Sequence, residues 1–236
     1  MGLRWGHPAY IHSNILGMKN HSHLNRLVSY LKELTEGVPV GVKIAGSKYL
    51  EKDLEIALEA GVDYIVIDGA QAGSKGTAPI LQDDFGLPTL FALVRAANYF
   101  EKHNCRDKVS LISSGGFYTP GQMLKALALG ADAVYIGAIA LFAVSHTEVL
   151  KAIPWEPPTA VAFYDGAFKN KFNTQKGAKN IANFLISCNE EIKEGVRALG
   201  KTRLKEVNKE DLFALDSFTA EVLDIPIGYK EIPFEK

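Results

Sequence analysis

The chain carries four short runs of apolar, β-branched residues, and helical patterns separate them. The runs lie at residues 40–44, 64–68, 109–113 and 133–137. They are nearly continuous in apolar character rather than alternating, which is typical of strands buried on both faces of a parallel sheet. The helical patterns lie at residues 52–60, 89–103 and 121–129. This order of strand and helix predicts βα units and therefore an α/β fold.

The second pair of predicted strands repeats the first pair at a shift of 69 residues, from 40 to 109 and from 64 to 133. The same shift aligns Gly61 and Asp63 with Gly130 and Asp132. In both copies a helix is expected to end at the glycine, just before a strand. Repeated βα units with such short connections favour a TIM-type (β/α)8 barrel over a doubly wound sheet.

A complete barrel needs eight strands, and residues 1–150 contain four convincing ones. We therefore predict that residues 1–150 form the C-terminal half of a barrel, about four βα units. Residues 151–236 differ, because prolines at 154, 157 and 158 precede a helical pattern over about 176–199. Its apolar residues recur every three or four positions, from Ala178 through Leu185 and Cys188 to Leu199. We expect a helical C-terminal extension packed on the barrel.

Composition excludes several classes of protein. The formal net charge is −1, hydrophobic residues make up 47% and charged residues 22%, which argues against a nucleic-acid partner and against disorder. The two cysteines, Cys105 and Cys188, have no ligand-like spacing, so no metal site is expected. Residues 1–17 lack a secretory pattern. The longest apolar run, 133–144, has 12 residues, whereas a bilayer span needs about 20. We expect a cytoplasmic protein with no membrane partner.

The chemistry of a parallel barrel lies at the C-terminal ends of its strands. The third strand is followed by Ser114, Gly115 and Gly116, and the fourth by Gly137 and Ala138. Glycine lets the backbone approach an anion, and the exposed N–H groups of a helix N-terminus bind it. Two such turns, after what would be the last two strands of a barrel, predict a phosphate site.

Two charged residues belong to the other strands. Lys43 lies inside an apolar strand, so its head must face a cavity, pair with a carboxylate, or reach solvent from the strand end. Facing the barrel mouth, it would stabilise an anionic ligand. Asp68 and Gly69 open a long Gly-rich loop that contains Gln71. That loop is either a ligand loop or a solvent loop in which Asp68 caps a helix.

Several segments resemble a known family. They read VGVKI at 40–44, IDGAQ at 67–71, QDDFGLPT at 82–89, RDKV at 106–109, SGGFYTPG at 114–121, ALALGADAVYIG at 126–137, LGK at 199–201 and NKEDL at 208–212. Together they resemble the FMN-binding synthase domain of the glutamate synthase family, in particular its stand-alone members from bacteria and archaea. The resemblance covers nearly the whole chain but only the C-terminal part of the family's domain.

This resemblance implies a (β/α)8 barrel that holds FMN. Reduced flavin would deliver a hydride to 2-iminoglutarate, formed from 2-oxoglutarate and ammonia, and the product would be glutamate. The catalytic residues it implies are Lys43, Asp68 and Gln71, at the mouth of the substrate and cofactor site. The residues it implies for FMN are Ser114, Gly115, Gly116, Gly137 and Ala138 at the phosphate, with Gly69 at the mouth.

Four departures from the family pattern bear on function. The loop at 72–79 is one residue longer than the family's or rearranged relative to it, and the N-terminal half of the barrel is missing. Residues 137–160 contain no cysteine, so we expect no iron–sulfur cluster. The chain begins with Met1 and Gly2 rather than a nucleophilic cysteine, so ammonia, free or derived from glutamine, must come from outside. An electron-donor protein is also expected.

Two further hypotheses remain open. The chain is a non-catalytic half-barrel that needs self-association or a separate N-terminal half, because a half-barrel leaves two open sheet edges. Otherwise it is another phosphate- or FMN-binding TIM-barrel enzyme, although Lys43 and the Asp68–Gln71 loop argue against this.

Overall fold

The structure of the chain is a computed structural model that describes residue 18 and residues 20–74, 77–148 and 159–231. Strands and helices alternate first: α1 (His21–Leu34), β1 (Gly41–Ala45), α2 (Leu50–Glu59), β2 (Tyr64–Asp68), α3 (Pro79–Asp83), α4 (Thr89–Lys102), β3 (Ser110–Ser114), α5 (Pro120–Ala128), β4 (Ala133–Tyr135) and α6 (Ala138–Ser145). Helices follow: α7 (Thr159–Ala162), α8 (Thr174–Ala198) and α9 (Ser217–Leu223). Short 3₁₀ turns lie at Ala70–Ala72, Lys169–Lys171, Leu204–Glu206 and Lys209–Asp211.

The described strands form one four-stranded sheet in the order β1-β2-β3-β4. β1 pairs with β2 in parallel, with Gly41 opposite Tyr64 and Ala45 opposite Asp68. β3 pairs with β4 in parallel, with Ser114 opposite Tyr135. The predicted α/β fold is confirmed, and each strand lies within two residues of its predicted bounds. Four sequential parallel βα units are what half of a (β/α)8 barrel contains.

Contacts divide the chain into two compact units, Met1–Leu111 and Ile112–Lys236. The predicted boundary at residue 150 lies in the segment 149–158, outside the described residues. The division into residues 1–150 and 151–236 therefore stays a prediction, and so does any effect of the prolines at 154, 157 and 158.

The core of the first unit forms where β2 is covered by helices. Ile65, Val66 and Ile67 of β2 are at most 2% exposed. They share the buried interior with apolar side chains of α2 and α4, namely Leu50, Leu54, Leu93, Ala97 and Phe100. Asp63 fixes the entry into β1, because its carboxylate accepts hydrogen bonds from the Val40 backbone N–H and the Lys32 ammonium, both at 2.7 Å. These two donors hold the pKa of Asp63 below its usual value.

A second anchor in the first unit joins α4 to α2. The Arg95 guanidinium donates to both carboxylate oxygens of Glu51, at 2.8 and 2.5 Å. It also donates to the carbonyls of Ser47 and Lys48, each at 3.1 Å. Because the Ser47 and Lys48 carbonyls lie just after β1, this fork fixes the segment at the carboxyl end of the strand.

In the second unit, the long helix α8 packs on α5 and α6. Gly177, Cys188 and Val196 are its buried residues, and Val196 belongs to a cluster with Ala128 and Val207. The predicted apolar stripe is partly wrong, because Ala178, Leu185 and Leu199 are exposed. Two glycines of α8 allow close packing on its inner side. A side chain at Gly177 would collide with the ring of Phe172, and one at Gly195 with Leu124. No helix in the described part of the chain is long and apolar enough to cross a membrane.

The predicted repeat is confirmed at the ends of α2 and α5. Gly61 and Gly130 both have a positive φ, +75° and +105°. Each donates its backbone N–H to a carbonyl three residues earlier, at 3.0 Å, and the next residue donates to a carbonyl five residues earlier. Both helices thus end with the same left-handed glycine turn, which directs the chain into the following strand.

Candidate functional site

The turn after β3 has an unusual backbone that only glycine adopts readily. Gly115 and Gly116 follow Ser114 with φ values of +125° and +72°. Ser114 itself is 7% exposed at the end of the strand. α5 then begins at a capping box, in which Thr119 and Gln122 bond each other's backbone N–H groups. A glycine turn of this kind, fixed at both ends, can turn successive N–H groups towards an anion.

The turn after β4 leads directly into a helix without a side-chain cap. Gly137 is the N-cap of α6, and because it is glycine it offers no side-chain cap to the first turn. A Cβ added at Gly137 would meet no atom within 4 Å, and Ala138 is exposed. The first turn of α6 thus begins at a glycine with open space where a side chain would be, at the positive end of the helix dipole.

These two turns emerge at the same edge of the sheet, because β3 and β4 are parallel partners with Ser114 opposite Tyr135. The turn after β3 has two glycines with positive φ. The turn after β4 starts a helix whose N-cap, Gly137, provides no side-chain cap, and the space that a side chain at Gly137 would fill is open. This combination fits the phosphate of a nucleotide-type cofactor. We call the residues of these two turns, Ser114, Gly115, Gly116, Gly137 and Ala138, the candidate phosphate cradle. Their role at a phosphate stays a prediction.

Lys43 and Asp68 come together in the first unit. The Lys43 ammonium lies 2.9 Å from a carboxylate oxygen of Asp68, with the two side chains 52% and 24% exposed. Lys43 thus combines two of the options left by its sequence, a carboxylate partner and access to solvent. The other Asp68 oxygen, Oδ1, is buried and has no hydrogen-bond partner among the described residues. An acceptor of this kind is available to a ligand donor.

Gln71 lies in the 3₁₀ turn after β2 and is tied to the start of α4. Its side-chain oxygen Oε1 accepts hydrogen bonds from both the backbone N–H and the hydroxyl of Thr89, each at 2.8 Å. Sequence reasoning missed Thr89. Its signal was Pro88, which precedes α4 and gives it no side-chain cap, so the helix needs a capping group from elsewhere.

Gly69 has a different reason to be glycine from those of the cradle. It is buried, and a Cβ there would lie 2.2 Å from the Cα of Thr89. Its missing side chain lets the loop approach α4 closely. A role for Gly69 at a cofactor stays a prediction, as do the catalytic roles of Lys43, Asp68 and Gln71.

The loop that follows is folded onto α3. The Gln82 side chain donates to the carbonyls of Ser74 and Thr77, at 3.4 and 3.3 Å. The predicted difference of this loop from the family pattern concerns residues 72–79, of which 75 and 76 lie outside the described residues, and it stays a prediction. Within the described ranges, no group of three His, Cys, Asp or Glu residues could hold a metal ion.

Among curated proteins, the chain is similar to archaeal-type glutamate synthases. It is 34% identical over 196 residues to the archaeal-type glutamate synthase [NADPH] of Thermotoga maritima, covering 80% of this chain and 38% of that protein. It is 32% identical over 207 residues to the archaeal glutamate synthase [NADPH] of Archaeoglobus fulgidus, covering 86% and 40%. It is also 29% identical to a glutamate synthase large subunit-like protein of Rhizobium meliloti, covering 84% and 48%. The chain thus spans less than half the length of these relatives.

Among solved structures, the chain is similar to a flavocytochrome b2 mutant with benzoylformate. The TM-score is 0.50 at 22% identity, over 89% of this chain and 46% of that one. This likeness concerns the fold alone. A match to a little under half of the other chain fits half of a barrel.

A family model described as a conserved region in glutamate synthase matches residues 6–202. The matched range contains all four strands, both turns of the phosphate cradle and the Lys43–Asp68 pair. The resemblance first noted in the sequence motifs is confirmed, and with more than two thirds of its residues inside the conserved region the chain belongs to the glutamate synthase family.

Proposed function

We propose that this chain is the FMN-binding synthase part of an oxidoreductase of glutamate synthase type, which converts 2-oxoglutarate and ammonia to glutamate. The observation that carries the proposal is the phosphate cradle. Two glycine turns at neighbouring strand ends leave backbone N–H groups and open space where a phosphate fits. The same residues lie inside the region that matches the family.

The chain's own residues divide the work by chemistry. Gly115, Gly116 and Gly137 hold the cofactor phosphate through backbone N–H groups. Lys43 binds a carboxylate of the substrate, and Asp68 holds the Lys43 ammonium in place. Reduced FMN, when bound, supplies a hydride to 2-iminoglutarate. The contribution of the protein is therefore placement and electrostatic stabilisation.

Electrons and ammonia come from outside this part of the protein. Two of the relatives carry NADPH in their names, which supports NADPH as the electron source, reached through an electron-donor protein or domain. Ammonia is free or derived from glutamine.

The first experiment measures FMN binding by the full chain and by two glycine variants. Gly137→Ala places a methyl group in the open space of the cradle, where no protein atom lies within 4 Å. Gly121→Ala is the matched control, because Gly121 also has open space around it but lies in α5. Gly121 lies in a helix, where alanine fits, but Gly137 has φ −121° and ψ −81°, outside the main regions of residues with a side chain. The melting temperature of each variant is therefore recorded, and FMN binding is compared at a temperature at which all three proteins are folded.

We expect flavin absorption bands that stay with the unchanged chain through gel filtration. Gly137→Ala should weaken FMN binding by about tenfold or more, as expected when about one charge-assisted hydrogen bond is lost. Gly121→Ala should bind FMN normally. A chain that ignores excess FMN, or equal binding by all three proteins, would refute the proposed cradle. Flavin-loaded chain should then be tested for reoxidation that depends on both 2-oxoglutarate and ammonia.

One observation favours a second candidate, a non-catalytic half-barrel that works only in an assembly. Each unit ends in an open strand of the described sheet. In the second unit, Ala133 and Tyr135 of β4 are exposed, Tyr135 by 44%. In the first unit, an open groove of about 590 Å³ lies between α1 and β1. Such edges favour pairing with a second copy or with a separate N-terminal half. This candidate predicts an oligomer without flavin.

A further inference from the structure

The orientation of the Gln71 amide is fixed by its neighbours. One of its two partners is the backbone N–H of Thr89, at 2.8 Å. A backbone N–H can only donate, so the side-chain atom that faces it must be the amide oxygen. The Thr89 hydroxyl approaches the same oxygen at 2.8 Å. Both acceptor positions of that oxygen are therefore used within the protein, and the amide nitrogen lies on the other side.

The amide nitrogen of Gln71 is left with two N–H donors. No hydrogen bond from it is formed within the described part of the chain, and Gln71 is an exposed residue. Thr89, in contrast, is 7% exposed and cannot itself reach a ligand easily. Buried Thr89 thus holds the Gln71 oxygen, and the Gln71 NH2 group is the donor that faces outwards.

The Gln71 NH2 group follows a strand whose neighbour carries a second donor, the Lys43 ammonium. Gln71 follows β2 by three residues, and Lys43 lies on β1, the parallel neighbour of β2. An ammonium and an amide NH2 at adjoining strands suit a ligand that is rich in acceptors, such as a carboxylate next to a carbonyl.

We propose that Gln71 donates a hydrogen bond to a carboxylate or keto oxygen of the substrate, and that Thr89 is the positioning residue that turns its NH2 group outwards. The inference rests on the proposed function, since it names how the site of that function selects a 2-oxo acid. The competing explanation is that Gln71 only caps α4. The two roles use different atoms, Nε2 and Oε1, so they can be separated.

Gln71→Glu separates them. The carboxylate keeps an acceptor for Thr89 and places negative charge at the positive end of α4, so the helix cap is preserved or strengthened. The outward group, however, changes from a donor into a charged acceptor that repels a carboxylate. Thr89→Val removes the hydroxyl at nearly constant size, and Thr89→Ser restores it.

The experiment titrates 2-oxoglutarate into the full chain loaded with FMN. Binding is followed by the flavin spectrum and by the NMR signal of the Gln71 side-chain NH2, and the melting temperature of each variant is recorded. We expect the NH2 signal to shift with 2-oxoglutarate in the unchanged chain. Gln71→Glu should weaken binding at least about tenfold without lowering the melting temperature. Thr89→Val should weaken binding about threefold or more, and Thr89→Ser should restore it.

Different failures have different meanings. If the unchanged chain binds FMN and 2-oxoglutarate but Gln71→Glu binds 2-oxoglutarate equally well, the inference is wrong and the proposed function stands. The same conclusion follows if Gln71→Glu loses binding only in proportion to a lower melting temperature. If the flavin-loaded, unchanged chain does not bind 2-oxoglutarate at all, both the proposed function and the inference are overturned.

Discussion

The glycines of this chain are required for different structural reasons. Gly41 and Gly69 are glycine because a neighbour occupies the space of a side chain, the ring of Tyr64 in one case and the backbone of Thr89 in the other. Gly116 is glycine because of its positive φ. Gly137 has neither constraint. Gly121 also has neither constraint, but it lies within α5, whereas Gly137 is the N-cap of α6 directly after β4. Gly137 is therefore the glycine that we associate with a ligand.

The sequence predicted the glycine turns and singled out Lys43, but it did not predict the hydrogen bonds between Gln71 and Thr89. Glycine turns after apolar runs are local signals, and a lysine inside such a run is conspicuous. The bond from Gln71 to Thr89 joins residues 18 positions apart. It depends on how closely the loop at Gly69 approaches α4, which no local pattern contains.

At this scale we predict the effect of removing the Lys43 charge. Lys43→Met should lower 2-oxoglutarate-dependent turnover at least about hundredfold, because the ammonium stabilises developing negative charge. It should lower the free energy of unfolding by less than about 1 kcal/mol, since the ion pair with Asp68 is half exposed. Steady-state kinetics and urea unfolding measure the two effects. The control is Lys48→Met, whose ammonium lies 5.6 Å from the centre of the Tyr49 ring. Equal turnover by both variants would contradict the role of Lys43.

Elements with a continuous apolar pattern were predicted well, and elements held by polar contacts were not. The four strands and α4 agree with prediction. β2, β3 and α4 contain buried apolar residues, as expected for a continuous apolar pattern, whereas β1 and β4 contain no buried residue, so the expected burial on both faces is wrong for these two strands. α9 was missed, since it is short and begins at a single cap, Asp216. The exposed face of α8 was misjudged because its packing depends on where Gly177 and Gly195 admit a neighbour. The spacing of apolar residues predicts which face of a helix is hydrophobic, but it does not show where a glycine allows a neighbouring side chain to pack closely.

A polar element also carries a prediction about pH. The 3₁₀ turn at 204–206 is closed by the Glu206 carboxylate, which accepts from the backbone N–H groups of Thr202 and Arg203 and from the Arg203 guanidinium, at 2.9, 3.2 and 2.8 Å. These donors lower the pKa of Glu206 to about 2 from 4.5. A depressed carboxyl pKa stabilises the fold above about pH 4.5 and loses that effect as the pH falls towards about 2.

Glu206→Gln should therefore lower the melting temperature at pH 6, and the difference from the unchanged chain should shrink steadily as the pH falls below about 4.5. Thermal unfolding followed by circular dichroism between about pH 6 and pH 3 covers this window. Glu210→Gln, in the neighbouring turn, is the control. A difference that stays constant over this range would show that Glu206 acts through its shape rather than its charge.

At the scale of the whole molecule, the sequence predicted half of a barrel by counting strands, and the fold agrees. The division into two compact units inside β3 was not predicted. Such a division depends on contacts between residues far apart in sequence, whereas strand and helix patterns are local. The relatives are more than twice as long as the matched region, so the open strands described above are where further structure is expected to join.

We predict that these open strands make the chain self-associate when it is expressed alone. Two single changes test the two units separately: Leu27→Lys in the groove beside β1, and Ala133→Lys on β4. Ala133→Lys places a charge on the edge strand β4, which opposes strand pairing. Leu27→Lys places a charge on α1, in the groove through which a partner would reach β1. Sedimentation velocity should show a smaller species for at least one of them, with the melting temperature of that variant little changed. Ala178→Lys, on the exposed side of α8, should leave the association intact. A chain that is monomeric at all concentrations would contradict the prediction.

The glycine turns at Gly61 and Gly130 also bear on ancestry. The same glycine turn ends a helix and leads into a strand at two positions that lie 69 residues apart. Duplication of one strand pair would therefore add two strands connected by a turn of the same geometry. Gain or loss of one such pair would change the sheet by two strands and would keep its strands parallel.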